Sequence, residues 1–227
     1  MSLTYSNQTT SLDQAFIHFA IAADVLSFGQ FQTKAGRLSP YYFNAGKFYD
    51  GYSLRQLAQF YAKKLTASAL RYDMLFGPAY KGIVLASATA VGLAEQGLNI
   101  PFAFNRKEVK NHGEGGQLIG APLKGRVLII DDVISAGISI NESIDIIHSA
   151  GATPAGVLIA IDRMEKSGTA TDIGDLSAVE EVARRHKIPV LAIATLQNLL
   201  DYLAHTEDRR LQEYLPMVQA YRARYGS

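Results

Sequence analysis

The stretch 127–139, VLIIDDVISAGIS, constrains this chain more than any other. An apolar run from Val127 to Ile130 ends in adjacent carboxylates, Asp131 and Asp132, and a Ser-Ala-Gly turn leads into a helical pattern. A run without polar alternation reads as a strand buried on both faces. Such a strand, delivering acids and a small-residue loop to a helix N-terminus, makes a place for a phosphorylated sugar. The acids accept hydrogen bonds from vicinal hydroxyls, and exposed backbone N–H groups hold a phosphate. Gly137 permits the positive φ and close backbone approach that the loop needs. The same strand-to-acid pattern occurs where a sheet edge simply enters a helix, as in response regulators or P-loop ATPases. No GxxxxGK[ST] sequence is present, which disfavours the ATPase.

The surrounding pattern fits a sheet covered on both sides. Residues 1–10 read as a polar extension, and 11–227 as one domain. Ser11 and Asp13 are candidate caps for a helix reaching about Leu26, and 28–46 reads as short antiparallel strands around a turn. Ser53 is a candidate cap for the next helix. Beyond it, strands at 73–76, 101–105, 126–130, 157–161 and 190–195 alternate with helices at 83–96, 140–150 and 176–185. A glycine-rich polar segment fills 106–124, and helical patterns fill most of the C-terminus. The spacing predicts an α/β fold with a parallel twisted sheet flanked by helices. Ligands then bind at the carboxyl ends of the strands, near a topological switch point. The loops after Phe76, Asn105, Ile130 and Ile161 are the ones to inspect.

Composition removes several alternatives. With no cysteine, disulfides, thiolate catalysis and Cys-based metal sites are excluded. The net charge of +1 gives no reason to expect a nucleic-acid or membrane surface. No signal peptide or membrane span is read, so a cytoplasmic enzyme is expected.

Other segments carry candidate chemistry. GPAYKG (77–82) sets Tyr80 and Lys81 between glycines at a strand end, suited to a second anionic group, although an ordinary turn would look similar. NRKEVKNHGEGG (105–116) places Arg106, Lys107, Lys110 and His112 ahead of glycines 113, 115 and 116. Such a segment suits a cationic lid over a pyrophosphate or, equally, a solvated surface loop. TKAGRLSPYYFNAG (33–46) brings Lys34 and Arg37 beside Tyr41, Tyr42 and Phe43, a setting for a planar anionic ring or a packed hairpin. Arg163 lies just past a strand end, placed for a carboxylate or for an ion pair with Asp162 or Glu165.

Taken together, these segments resemble the bacterial orotate phosphoribosyltransferases, over the chain from about Asp13 onward. VLIIDDVISAG is the motif shared by type I phosphoribosyltransferases, whereas the 33–46 and 105–116 segments mark the orotate enzymes. The resemblance implies a Rossmann-like core (about 51–195) with a small N-terminal hood (about 11–50, plus part of the C-terminus). It implies Mg²⁺-dependent transfer of phosphoribose from 5-phosphoribosyl 1-diphosphate (PRPP) to orotate, giving orotidine 5′-monophosphate and pyrophosphate in pyrimidine synthesis. Asp131 and Asp132 would face the ribose hydroxyls, and Val133, Ile134, Ser135, Ala136, Gly137 and Ser139 would cradle the 5′-phosphate. Tyr80, Lys81, Arg106, Lys107, Lys110 and His112 match PRPP contacts. Lys34, Tyr42, Phe43, Ser135 and Arg163 match orotate contacts, and Lys110 and Asp132 match the catalytic positions. Mg²⁺ would be held mainly through PRPP, without a dedicated protein ligand set. A homodimer follows, with the lid reaching the neighbouring site. Ile138 departs from the family, standing where a threonine is common. Ser135 and Ala35 are milder departures. Rival readings are a phosphoribosyltransferase for another base, and a nucleotide-sensing regulator. The regulator would need a basic nucleic-acid-binding element that is not evident here.

Overall fold

The computed structural model describes residues 10–110 and 116–227. Helix α1 (Leu12–Ala22) precedes an antiparallel pair, β1 (Leu26–Gln32) and β2 (Leu38–Phe43). Gly36, at φ 75°, turns the chain between them, a conformation that favours glycine. Helix α2 (Gly51–Thr66) follows, capped by Asp50 rather than by Ser53. Asp50 Oδ1 accepts the N–H groups of Tyr52 at 2.9 Å and Ser53 at 3.0 Å. Ser53 lies inside the first turn, too late to cap it. At α1, Ser11 occupies the cap position without a cap bond, and Asp13 instead accepts from Asn198 Nδ2.

The α/β part then runs β3 (Met74–Gly77), α3 (Lys81–Ala94), β4 (Phe102–Lys110), β5 (Gly116–Gly120), β6 (Arg126–Ile130), α4 (Ile138–Ser149) and β7 (Thr153–Asp162). An antiparallel pair, β8 (Lys166–Gly168) and β9 (Ile173–Ser177), precedes α5 (Ala178–His186) and β10 (Val190–Thr195). Helices α6 (Leu196–His205), α7 (Arg209–Gln212) and α8 (Leu215–Tyr225) close the chain. None of the described helices is long and apolar enough to cross a membrane.

The main sheet has the order β10-β7-β6-β3-β4-β5, and its pairs are parallel except β4–β5. Two expectations are corrected here. The strand expected to stop at Asn105 continues to Lys110 and pairs with β5 in an antiparallel arm. RKEVK lacks the apolar alternation that marks a strand, so backbone pairing rather than burial makes this extension. The helix expected over 176–185 begins only at Ala178, because Ser177 and Glu180 form a reciprocal capping box that ends β9.

Period-two alternation splits β6 between two cores. Val127 and Ile129 pack with Met74, Phe76, Ile140, Ile144 and Val182 on one face. Leu128 and Ile130 pack with Phe16, Phe43, Leu57, Tyr61 and Leu85 on the other. Each fully buried aliphatic or aromatic side chain contributes about 1.5–3 kcal/mol. The N-terminal hairpin therefore shares a core with the sheet. From β3 the chain passes through α3 to β4 on one side, and from β6 through α4 to β7 on the other. The β3–β6 seam is the topological switch point.

Candidate active site

Two loops meet at that seam. The first, 77–82, is drawn tight by its glycines. A Cβ on Gly77 would stand 2.1 Å from the Gly82 carbonyl oxygen, and one on Gly82 would stand 2.5 Å from Pro78 Cδ. Only glycine allows this approach of strand end to helix start. Asn105, buried in β4, fixes the loop from the other side, its Oδ1 accepting the Ala79 N–H at 2.8 Å. Tyr80 and Lys81 are thereby held outward, Tyr80 exposed with Lys107 Nζ 5.8 Å from its ring centre.

The second loop, 131–137, leaves β6 and starts α4. Gly137 stands at the helix N-cap with φ 69°, the left-handed conformation expected of it. Its neighbours Ser135, Ala136 and Ile138 are exposed, Val133 and Ile134 half-buried. The first N–H groups of α4 lack intrahelical acceptors and carry the positive end of the helix dipole. An anion at this point would be bound by backbone alone.

Asp131 and Asp132 are both buried, yet they are held differently. Asp132 Oδ2 accepts Lys81 Nζ at 2.6 Å, an ion pair that joins the two loops. Asp131 accepts the Ser139 hydroxyl at 2.8 Å and the Asp132 N–H at 2.9 Å. Burial and the neighbouring Asp132 charge push its carboxyl up to about 6, and the Ser139 bond opposes the rise. Ser139, expected from the resemblance to help cradle the 5′-phosphate, thus spends its hydroxyl on Asp131. The Asp131 carbonyl oxygen accepts the Tyr61 hydroxyl at 2.8 Å. Burial, then the two carboxylates, raise the Tyr61 phenol well above its ordinary range, so it stays a donor.

The residues expected to contact the acceptor are less tightly gathered. Lys34 is exposed at the β1–β2 turn. Tyr42 and Phe43 are neighbours on β2 and face opposite ways. Tyr42 is exposed and stacked on Phe31 at 5.4 Å, while Phe43 is buried 6.3 Å from Phe16. The two rings do not form a facing pair. Arg37 is buried rather than poised beside a ligand, donating to the carbonyls of Lys166, Ser167 and Thr169. Arg163 lies past the end of β7, and its partners include Glu165, as one sequence alternative had it.

Arg106 and Lys107 lie on β4, and Lys110 ends it by its backbone. His112 lies outside the described residues, as does much of the expected lid. Sequence reading missed Asn105 and Tyr61 as supports of the site. Tyr61 left one signal, a lone hydroxyl in the apolar stripe of α2, since a buried phenol usually finds a partner.

The chain matches the family model for the phosphoribosyl transferase domain over residues 46–173. It is 58% identical over 226 residues to the orotate phosphoribosyltransferase of Polynucleobacter necessarius, covering 100% of both chains. It is 61% identical over 220 residues to that of Ralstonia nicotianae, covering 97% of each. The crystal structure of orotate phosphoribosyltransferase from Francisella tularensis superposes with a TM-score of 0.82 at 40% identity, over 94% of this chain and 100% of that one.

Proposed function

The chain belongs to the orotate phosphoribosyltransferases, and from that premise we propose which residues carry the pentosyl transfer from PRPP to orotate. The observation that supports the assignment most strongly is the β3–β6 seam, where Lys81, Asp131 and Asp132 converge beside the start of α4. In this reading the 5′-phosphate sits on the backbone N–H groups of the loop from Val133 through Ile134, Ser135, Ala136 and Gly137 to Ser139. The ribose hydroxyls are accepted by Asp131 and Asp132. The diphosphate is taken by Tyr80 and Lys81, with Arg106, Lys107, Lys110 and His112 closing from the β4–β5 arm. Orotate is recognised by Lys34, Tyr42, Phe43, Ser135 and Arg163.

The chemistry follows from where charge develops. Cleavage of the C1′–O bond leaves an oxocarbenium-like ribose and a diphosphate leaving group. Buried carboxylates stabilise the first, and Lys81 and Lys110 the second. Orotate arrives as an anion, so a strong general base is not required. Carboxylates are hard oxygen donors that suit Mg²⁺, so Asp131 and Asp132 would tolerate beside them an ion held mainly through PRPP. Mg²⁺ carried in this way would neutralise charge on the departing diphosphate. A homodimer in which each arm serves the neighbouring site, working in the cytoplasm, completes the proposal.

The test is direct. Purified protein is mixed with PRPP, Mg²⁺ and orotate, and loss of orotate absorbance is followed. Turnover is expected with orotate and not with purines or uracil. Turnover with another base and none with orotate would overturn the acceptor assignment.

A further inference from the structure

A cluster of charge lies beside the acceptor face, between β2, the start of the β8–β9 pair and α8. At its centre is Glu165. Its Oε1 accepts Arg163 Nε at 2.8 Å and Nη2 at 2.5 Å, and the Tyr41 hydroxyl approaches at 3.4 Å. Its Oε2 lies 3.8 Å from Arg37 Nη1. Arg163 Nη2 also donates to Ser39 Oγ at 3.2 Å, and its guanidinium lies 4.8 Å from the centre of the Tyr41 ring. Arg37 is pinned to backbone carbonyls on β8 and the following turn, and stands 4.7 Å from the Tyr225 ring centre. Oε1 of Glu165 is therefore held by Arg163 and Tyr41, and Oε2 faces Arg37, which is itself held in place.

We propose that Glu165 is a positioning residue for acceptor recognition, fixing the Nε/Nη2 edge of Arg163 so that Nη1 is presented to the acceptor. The proposal rests on the reading of Arg163 as an orotate contact. A guanidinium has five N–H donors, and the bonds to Glu165 and Ser39 engage those on Nε and Nη2. Among the described residues none accepts a hydrogen bond from Nη1, whose donors are left for a ligand. An arginine pinned along its Nε/Nη2 edge holds Nη1 in a fixed plane, from which it can donate to one oxygen of an anionic acceptor. The charge balance supports the same conclusion. Arg37 and Arg163 against Glu165 leave one net positive charge, which favours an anionic acceptor. Arg37 thereby acts as the counter-charge that lets the half-buried Glu165 sit beside the acceptor without repelling orotate.

Steady-state kinetics in both substrates test the idea, using Glu165→Ala, Glu165→Gln, Arg163→Ala and the double variant Arg163→Ala/Glu165→Ala. Glu165→Ala is expected to raise the orotate KM roughly tenfold or more, the usual scale for a misplaced binding group. The PRPP KM should stay within about twofold, because among the described residues the cluster's hydrogen bonds and ion pairs stay within the β1–β2 turn, β2, the β7–β8 turn and β8–β9 rather than reaching the 77–82 and 131–137 loops. Glu165→Gln keeps an acceptor oxygen for Arg163 and should recover most of the loss. In the Arg163→Ala background, removing Glu165 should change the orotate KM no further. If Glu165→Ala does not fold, as judged by thermal melting, Glu165→Met takes its place in the cycle, keeping side-chain length without an acceptor. An unchanged or lower orotate KM on removing Glu165, or effects that add to those of Arg163→Ala, would overturn the positioning role. An unchanged orotate KM in Arg163→Ala itself would instead overturn the acceptor reading beneath it.

Discussion

Lys81 Nζ and Asp132 Oδ2 lie 2.6 Å apart across the β3–β6 seam, although 51 positions separate them in the chain. Asp132 is buried and Lys81 about half exposed, so the lysine supplies the charge that allows a carboxylate to sit at the carboxyl end of β6. The same lysine is proposed to contact PRPP, and the ion pair holds it beside Asp132, the proposed ribose contact, before substrate arrives. Replacing Lys81 removes both the diphosphate contact and the partner of Asp132. Lys81→Ala is expected to raise the PRPP KM by about tenfold to a hundredfold, the scale of a lost charged hydrogen bond. Initial rates at varied PRPP and saturating orotate measure this, and an unchanged KM would remove Lys81 from the PRPP contacts.

Asp131 predicts a pH dependence. Burial and the charge of Asp132 raise its carboxyl to about 6, and it must be ionised to accept ribose hydroxyls without competition from its own proton. The kcat/KM for PRPP should therefore climb as pH rises through about 6. Asp131→Asn should have lower activity and lack that acid limb. The stability effect has the opposite sign. A carboxyl raised above its ordinary value of 3.8 disfavours the fold when ionised, and the penalty is relieved as pH falls from about 6 toward 3.8. At pH near 8, Asp131→Asn should melt no lower than the parent chain; a clearly lower Tm would show that the ionised carboxylate stabilises the fold.

Ile138 begins α4 with its side chain largely exposed, at 64% of its full accessible surface. Nothing in the core depends on it, and the Ser139 hydroxyl is already engaged by Asp131. Ile138→Thr adds a donor at the start of the helix proposed to receive the 5′-phosphate. The expected result is a PRPP KM lower by a few-fold, from about 0.5–1.5 kcal/mol for one added hydrogen bond. Stability should move by less than about 0.5 kcal/mol. A higher PRPP KM would mean that the threonine methyl or hydroxyl obstructs the loop.

The arm formed by β4 and β5 predicts complementation. Lys110→Ala and Asp132→Ala should each lose most of kcat, about a hundredfold or more for charge stabilisation of the transition state. If the arm serves the neighbouring site, mixing the two inactive proteins restores roughly a quarter of parental activity. Half the dimers are then mixed, and each mixed dimer holds one intact site. Failure to restore activity in proven mixed dimers would place the arm in its own subunit's site.

Much of this protein was legible in its sequence because the signals were local. The apolar run Val127–Ile130 has no other use than a doubly covered strand, and α4 and β7 follow from the periodicity beyond it. Gly137 permits a positive φ in the turn, and its φ is 69°. The resemblance to the orotate enzymes was equally readable, since it is carried by contiguous segments. The reading failed where backbone pairing overrode side-chain pattern. The arm beyond Asn105 is charged and so resembled a loop, and the helix expected from Leu176 was cut short by the Ser177–Glu180 capping box.

Residue types and their order thus determined the sheet, its acidic strand end and the class of ligand. Only the tertiary structure decided which groups hold which. It paired Lys81 with Asp132, turned Tyr42 and Phe43 to opposite faces, buried Arg37 against carbonyl oxygens and brought Glu165 to Arg163. The reason is physical: secondary structure is encoded by neighbours a few positions apart, whereas charge pairing and burial depend on distances set by packing of distant segments.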